Sequence, residues 1–248
     1  MIALNEASKI ERTIKAAMRF TDDVVVADTG STDQTVEIAK KAGAHVFSIS
    51  WKGFGKSKNE ALGLAEYSWV LFLDADEVPD ETLSESLRHF TPKNTSDVYQ
   101  VRFINYLGSS TLLHGEWNYA KIRLFNRLKT RWDESPVHEK LIRKDNSKLL
   151  NLPGAIHHYS LDDEAHYLRK TGAYAQLMAE KYFEAGKKSS WLRINIYPRL
   201  QYLRNFYLRG GYKDGKAGKT AAQMSARYAF LKYHHLRELW RTNLKKQQ

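Results

Sequence analysis

The chain has 248 residues, 42% of them hydrophobic and 27% charged, with no cysteine and a formal net charge of +11. That length supports one sizeable core with an appended subdomain, in the composition of a soluble globular protein. The absence of cysteine excludes thiol catalysis, disulfides and Cys-based zinc sites. No apolar run approaches the roughly 20 residues needed to span a bilayer, and the N-terminus lacks the basic and apolar regions of a secretory signal, so a cytoplasmic location is the default expectation.

Met1 to Leu4 reads as the stub of a strand, and Ser8-Lys-Ile-Glu11 as a capping box opening a helix to about Phe20. Val24 to Ala27 reads as a buried strand ending at Asp28. Gly30 to Asp33 then turns the chain into a helix to about Ala42, which Gly43 stops. His45 to Ile49 reads as a third strand, Lys56 to Glu66 as a helix and Trp69 to Leu73 as a fourth strand. Strands alternating with helices of this length predict a parallel α/β sheet. Beyond Phe90 the pattern changes. Val98 to Leu107, Lys121 to Asn126 and Val137 to Arg143 alternate like strands with one exposed face, so this part reads as antiparallel and loop-rich. From Asp163 the chain reads as helical over 163–186, 191–208 and 216–242. In the last helix Ala221, Met224, Tyr228, Leu231, His235, Leu236, Leu239 and Trp240 form a core-type stripe.

Charge is unevenly placed. Residues 187–248 hold 15 of the 39 Lys and Arg and only two acids, Asp214 and Glu238, for a net of +13. Residues 1–186 have a net of −2. The basic segment also holds 10 of the 30 aromatics. Basic and aromatic residues interleaved on helices suit an anionic membrane surface or nucleic acid, and a solvated basic face over a helical core is the plain alternative.

The chemistry concentrates where strands meet loops. Asp74-Ala75-Asp76 follows the apolar run Trp69 to Leu73. In an extended segment, residues two apart share a face, so both carboxylates can converge on a divalent cation. Asp28 ends another strand, and acids at the ends of parallel strands share one rim, where ligands of open α/β sheets bind. Ser31 and Asp33 follow it and read as helix caps as well as candidate ligands. The Gly53 to Asn59 loop lacks Walker spacing, which rejects a P-loop ATPase, while its Lys56 and Asn59 are in reach of the same rim.

Asn5-Glu6, Val26-Ala-Asp28-Thr-Gly-Ser-Thr-Asp33, the Gly55 to Asn59 stretch and Leu73-Asp-Ala-Asp-Glu77 resemble, in order, the motifs of family 2 glycosyltransferases of GT-A fold. The resemblance implies that Asp28 binds the uracil or ribose of a UDP-sugar, helped by Asn5, Glu6 and the Ser31 to Asp33 segment. It also implies that Asp76 is the direct ligand of a Mn²⁺ or Mg²⁺ ion bridging the diphosphate, with Asp74 towards the ribose. Lys121-Ile-Arg-Leu-Phe-Asn126, Trp132-Asp-Glu-Ser-Pro-Val-His-Glu139, Tyr207 to Gly215 and Phe230-Leu-Lys-Tyr233 are similar to the bacterial branch that builds the inner core of lipopolysaccharide, a β-glucosyltransferase branch. The departure is at the N-terminus, where family members carry several more residues of the first strand ahead of Asn5-Glu6.

Transfer needs a base to take the proton of an acceptor hydroxyl. Glu139 is the candidate, and His138 the rival as base or metal ligand. Arg123 and Arg127 are candidates to assist the diphosphate, and Trp117 or Trp132 to stack on an acceptor sugar. The expected organisation is a GT-A catalytic domain over 1–160, divided into a nucleotide-sugar half (1–90) and an acceptor half (91–160), followed by a basic, aromatic helical extension over 161–248. The expected fold is α/β, Rossmann-like, with a mixed central sheet. The expected activity is inverting, metal-dependent transfer of a hexose, glucose first, from a UDP-sugar to a saccharide or glycolipid acceptor. Its expected place is peripheral, on an anionic membrane at the inner face, with no nucleic acid as partner. Rival readings are a sugar-phosphate nucleotidyltransferase, which Asn5-Glu6-Ala7-Ser8 does not support, a catalytically inactive nucleotide binder, and a basic nucleic-acid-binding protein.

Overall fold

The computed structural model describes residues 1–134, 139–161 and 164–246. They form two compact units. The first contains Met1–Phe103 and Tyr119–His158. The second contains Ile104–Asn118 and the chain from Tyr159 onward.

The first unit opens with strands β1 (Ile2–Ala3), β2 (Val25–Asp28) and β3 (His45–Ser48), paired in parallel in that order, with helices α1 (Ile10–Ala17) and α2 (Thr35–Lys41) as crossovers. Apolar residues four apart explain α1: Ile10 and Ile14 are fully buried, and Thr13 between them donates its hydroxyl to the Ala75 carbonyl at 2.7 Å. The expected capping box is absent. The helix starts at Ile10, and the Glu6 carbonyl, not Ser8, accepts the Lys9 and Ile10 N–H groups. Ser8 lies inside the turn that Glu6 closes. Gly43 does end α2, with φ of +95°. Helix α3 (Phe54–Gly63) follows β3.

The fourth strand departs from the expected sheet. Strand β4 (Trp69–Leu71) pairs antiparallel with β8 (Ala120–Asn126) and belongs to a second sheet of order β4-β8-β6-β11-β5, with β7 (Ser110–Leu112) paired to β6. Here β5 is Glu77–Pro79, β6 Val98–Leu107 and β11 Leu149–Leu161. Asp28 therefore ends a strand of one hydrogen-bonded sheet, and Asp74 follows a strand of another. β6 matches the alternation of its sequence, whereas β8 is buried on both faces from Arg123 to Asn126. β11 does not show in its sequence, because Pro153-Gly154 reads as a turn. The strand continues through it, since Gly154 adopts φ of +94° and a Cβ there would overlap the Leu83 backbone at the start of α4 (Glu81–Arg88). Asp80 fastens the junction by capping α4 through Leu83 N–H at 2.7 Å and accepting Ala155 N–H at 2.9 Å. Two short strands, β9 (Arg131–Trp132) and β10 (Leu141–Ile142), pair antiparallel. One core cluster gathers Ile10, Ile14, Val26, Leu73, Leu83, Phe103 and Ile156, and a second gathers Ala27, Leu62, Phe72, Phe125 and Trp132. Each Val, Leu, Ile or Phe among them contributes about 1.5–3 kcal/mol on burial.

The second unit is mainly helical: α5 (Glu164–Glu184), α6 (Trp191–Asn195), α7 (Tyr197–Leu203), a π-type turn over Arg204–Leu208, a 3-10 turn over Gly211–Asp214 and α8 (Gly215–Lys246). The single helix expected over 191–208 is broken at Ile196, because Pro198 has no N–H to return to the preceding turn. The expected α8 stripe faces inward: Ala221, Met224 and Leu236 are buried and the others half-buried. Gly218 of α8 lies against Gly211, whose carbonyl a Cβ would overlap.

Candidate active site

Apart from Trp117, the described candidate residues lie in the first unit. Asp28, buried at the end of β2, folds back on its own loop, accepting Gly30 N–H at 3.1 Å and Ser31 N–H at 3.1 Å. Ser31 does not cap α2, whereas Asp33 Oδ1 accepts the Thr35 N–H at 3.0 Å where the helix begins. They join the loop to the one after β1. Ser31 Oγ accepts Asn5 N–H at 2.9 Å, Asn5 Oδ1 accepts Thr32 N–H at 2.8 Å, Glu6 N–H donates to Thr35 Oγ1 at 2.8 Å, and Asp33 accepts Ala7 N–H at 3.3 Å. Asn5 holds a left-handed φ of +55°, a region that Asn tolerates. Asn5, Glu6, Asp28, Ser31 and Asp33 thus form one hydrogen-bonded ledge.

Asp74-Ala-Asp76 is a turn, not a strand end: Glu77 N–H donates to the Asp74 carbonyl at 3.0 Å. Strand alternation therefore does not apply, and the two carboxylates meet different partners. Asp74 accepts Arg123 Nη2 at 3.2 Å and lies 3.9 Å from Lys58 Nζ. Burial works against its charge, but Arg123, Lys58, Lys121 and His158 together hold its carboxyl well below the usual carboxylate range. Asp76 faces His158 of β11, with 3.6 Å between Oδ1 and Nε2. Burial, against the pull of Asp76 and with Lys121 adding to it, pushes the His158 imidazole down to about 4, so the ring is neutral at physiological pH. Behind both, fully buried Glu77 accepts from Arg123 Nη2 and from Asp74 N–H. Burial pushes the Glu77 carboxyl up to about 7 against the opposing pull of Arg123.

Glu139 reaches the same place through a residue that sequence reasoning passed over. Lys58 of α3 is buried, donates to Glu139 Oε1 at 2.6 Å and lies 4.8 Å from the Trp132 ring centre and 5.4 Å from that of Phe72. The neighbouring candidates on α3 serve otherwise. Asn59 clamps β9, accepting Trp132 N–H and donating to its carbonyl, each at 2.9 Å. Lys56 is exposed and pairs with Glu134 at 3.4 Å. Gly55 allows this approach, since a Cβ would overlap the Asp133 carbonyl oxygen. Trp132 is 7% exposed and packs with Phe72 and Phe125, so it is core and not a sugar platform. Trp117 is half-buried in a 3-10 turn of the second unit. Arg127 is tied to the Tyr67 carbonyl, at the start of β4 and away from Asp74. His138 lies outside the described residues. Among the described residues no group of three or more His, Asp or Glu converges as a metal cage.

The site therefore offers a carboxylate held beside a lysine, an Asp-His pair and a hydrogen-bonded ledge at the end of a parallel strand. The model of glycosyl transferase family 2 matches residues 1–161. The chain belongs to this family. An uncharacterized glycosyltransferase of Rickettsia typhi is 30% identical over 96% of this chain and 86% of its own. The lipopolysaccharide core biosynthesis glycosyltransferase LpsC of Rhizobium meliloti is 28% identical over 93% and 88%. Among solved structures, S. aureus TarS aligns at 16% identity over 98% of this chain and 90% of its own, with a TM-score of 0.47. The mixed α/β architecture with C-terminal helices is the one expected for this glycosyltransferase from its sequence. The residues the sequence reading missed are Lys58, Glu77 and His158. Lys58 sits within the quoted Gly55 to Asn59 motif and Glu77 directly after the Asp-x-Asp, whereas His158 was hidden with β11.

Proposed function

We propose that this glycosyltransferase moves a hexose, glucose first, from a UDP-sugar to a saccharide acceptor on a lipid-linked glycan such as lipopolysaccharide core, with inversion. One observation carries the reading: a single buried lysine, Lys58, spans from Glu139 to Asp74, so the candidate base and the Asp-x-Asp flank the same point. In this reading Glu139 takes the acceptor proton. The ledge of Asn5, Glu6, Asp28, Ser31 and Asp33 receives the nucleoside, and Asp74 stands towards the ribose. Lys56, exposed at the start of α3, is available to the phosphates.

A divalent cation fits Asp76 and His158. A carboxylate oxygen and a neutral imidazole nitrogen 3.6 Å apart suit Mn²⁺ better than Mg²⁺, which prefers oxygen alone. When bound, such an ion supplies Lewis-acid neutralisation of the departing diphosphate. LpsC acts, by its name, in lipopolysaccharide core biosynthesis, which supports the acceptor class. The net +13 of residues 187–248 supports an anionic membrane surface as the place of work. The test is a panel of UDP-sugars assayed for UDP release with and without Mn²⁺ and a saccharide acceptor. Acceptor-stimulated, metal-dependent release from one UDP-hexose is expected. UDP binding without any release would instead favour an inactive nucleotide binder.

A further inference from the structure

The segment from Trp191 to Tyr212 in the second unit is turned inside out. Its inward side carries Ile194 and Pro198 together with two amides, Gln201 and Asn205. Both amides are satisfied in the interior: Asn205 Nδ2 donates to Glu116 Oε2 and Ser225 Oγ, each at 3.0 Å, and Gln201 Nε2 donates to Ser225 Oγ at 3.2 Å. Its outward side is apolar. Leu192, Leu200, Leu203 and Tyr207 recur every three or four residues with half-buried Ile196 between the first two. Of these, Leu200 is 56% exposed, and the adjoining Leu208 is 83% exposed. Of the 18 large hydrophobic side chains that are exposed among the described residues, eight lie in these 22 positions. A solvated basic face over a helical core does not describe this segment, whose outward side carries leucines as well as arginines. A surface helix in water carries the opposite pattern.

The rim identifies the occupant. Between Lys187 and Lys213 there are seven Lys and Arg and no acid, and Arg193, Arg199, Arg204 and Arg209 are all exposed. A second copy meeting this face would bring seven positive charges onto seven. Nucleic acid would leave the leucines without a partner. Apolar side chains ringed by Arg and Tyr match the boundary of an anionic bilayer, where the leucines enter the acyl region and the arginines stay at the headgroups. We infer that Trp191–Tyr212 is an interfacial membrane-insertion face of this glycosyltransferase, taking the headgroup-acyl boundary of anionic phospholipid. The inference rests on the proposed membrane location and deepens it, from attraction by charge to burial of Leu200, Leu203, Tyr207 and Leu208.

The test uses the full chain and vesicles of phosphatidylglycerol with phosphatidylcholine. Leu200→Ser with Leu208→Ser keeps every charge and touches only exposed positions, and unchanged thermal melting and UDP binding verify its fold. The double variant is expected to partition at least tenfold more weakly than wild type. Wild type is expected to keep part of its binding when salt is raised from about 0.1 M to about 1 M, where screening removes the electrostatic share and leaves the apolar one. Fluorescence quenching by bromine-labelled acyl chains is expected in wild type and reduced in Trp191→Phe. If the double variant partitions like wild type and salt releases both, membrane binding is electrostatic only and the insertion face is refuted while the membrane location stands. If wild type binds no vesicle, both are refuted. If it forms dimers that the leucine changes abolish, the face is an interface between copies and the insertion face is refuted. Metal-dependent UDP release would still stand as its own result.

Discussion

Lys58 Nζ lies 2.6 Å from Glu139 Oε1 and 3.9 Å from Asp74 Oδ1, so one buried cation joins carboxylates supplied by segments 65 residues apart. The aromatic rings of Trp132 and Phe72 flank the ammonium. The pairing fixes one oxygen of Glu139.

Glu139→Gln keeps size and polarity and removes the proton acceptor. Turnover is expected to fall roughly 10²–10⁴-fold, the worth of a positioned base, with UDP affinity unchanged by calorimetry. Lys58→Met acts differently. It strands two partly buried carboxylates and is expected to cost about 3–5 kcal/mol of stability in urea unfolding. A Glu139→Gln variant with wild-type turnover would remove Glu139 from the reaction.

The Asp76 and His158 pair is tested by binding. UDP is expected to bind more tightly with Mn²⁺ than with chelator. Asp76→Ala and His158→Gln are each expected to erase that difference by more than the roughly 10–100-fold of an outer-shell partner. Asp28→Ala is expected to weaken UDP equally with and without metal, since its place is on the ledge. Metal-independent UDP binding by the wild-type protein would sink the assignment.

His158 also sets a pH dependence. Its folded-state value of about 4 lies below the ordinary 6.5, so the neutral ring is favoured by folding. The contribution is complete above about 6.5 and is lost as pH falls towards 4, amounting to about 3 kcal/mol. Urea unfolding with chelator present, at pH 7 and near pH 4, is expected to show this loss in wild type. In His158→Gln the loss should be smaller by that amount. An identical pH dependence in the two proteins would contradict it.

Asn59 and Lys56 separate cleanly. Asn59→Ala orphans the Trp132 N–H and carbonyl and is expected to cost about 1–3 kcal/mol for each group left unpaired. Lys56→Ala removes one exposed pair and is expected to change stability by less than about 0.5 kcal/mol. A fall in UDP affinity in Lys56→Ala then reads directly on its proposed phosphate contact, because the fold is unaltered.

Much of this arrangement was legible in the sequence, for physical reasons. An apolar run marked β2, which is buried throughout, and periodicity located β6 and the inward stripe of α8. The Asp28 and Asp74-to-Asp76 motifs marked the places where strands give way to loops. What failed did so where a non-local contact decides. Trp69–Leu71 has the same apolar character whether it joins a parallel or an antiparallel sheet, and only its pairing with Ala120–Asn126 settles the matter. β11 was missed because Pro153-Gly154 is a turn signal locally and a tolerated bend beside Leu83. Lys58 reads as an ordinary surface lysine until Glu139, 81 residues on, closes over it. The exposure of Leu200 and Leu208 was not legible, because hydrophobic periodicity does not tell which side of a helix has a neighbour.

The company that Arg123 keeps has a consequence for the order of events at the site. Asp74, Asp76, Glu77 and Glu139 bring four carboxylates together, against three side-chain cations, Lys58, Lys121 and Arg123, and a neutral His158. With the Glu77 carboxyl pushed up to about 7, the neighbourhood carries between zero and one negative charge in excess, so a nucleoside diphosphate arriving alone meets no net positive charge. A divalent ion supplies it. Donor and cation should therefore arrive together or cation first, so that at fixed UDP the association rate climbs with Mn²⁺ while chelated protein associates slowly however concentrated the nucleotide.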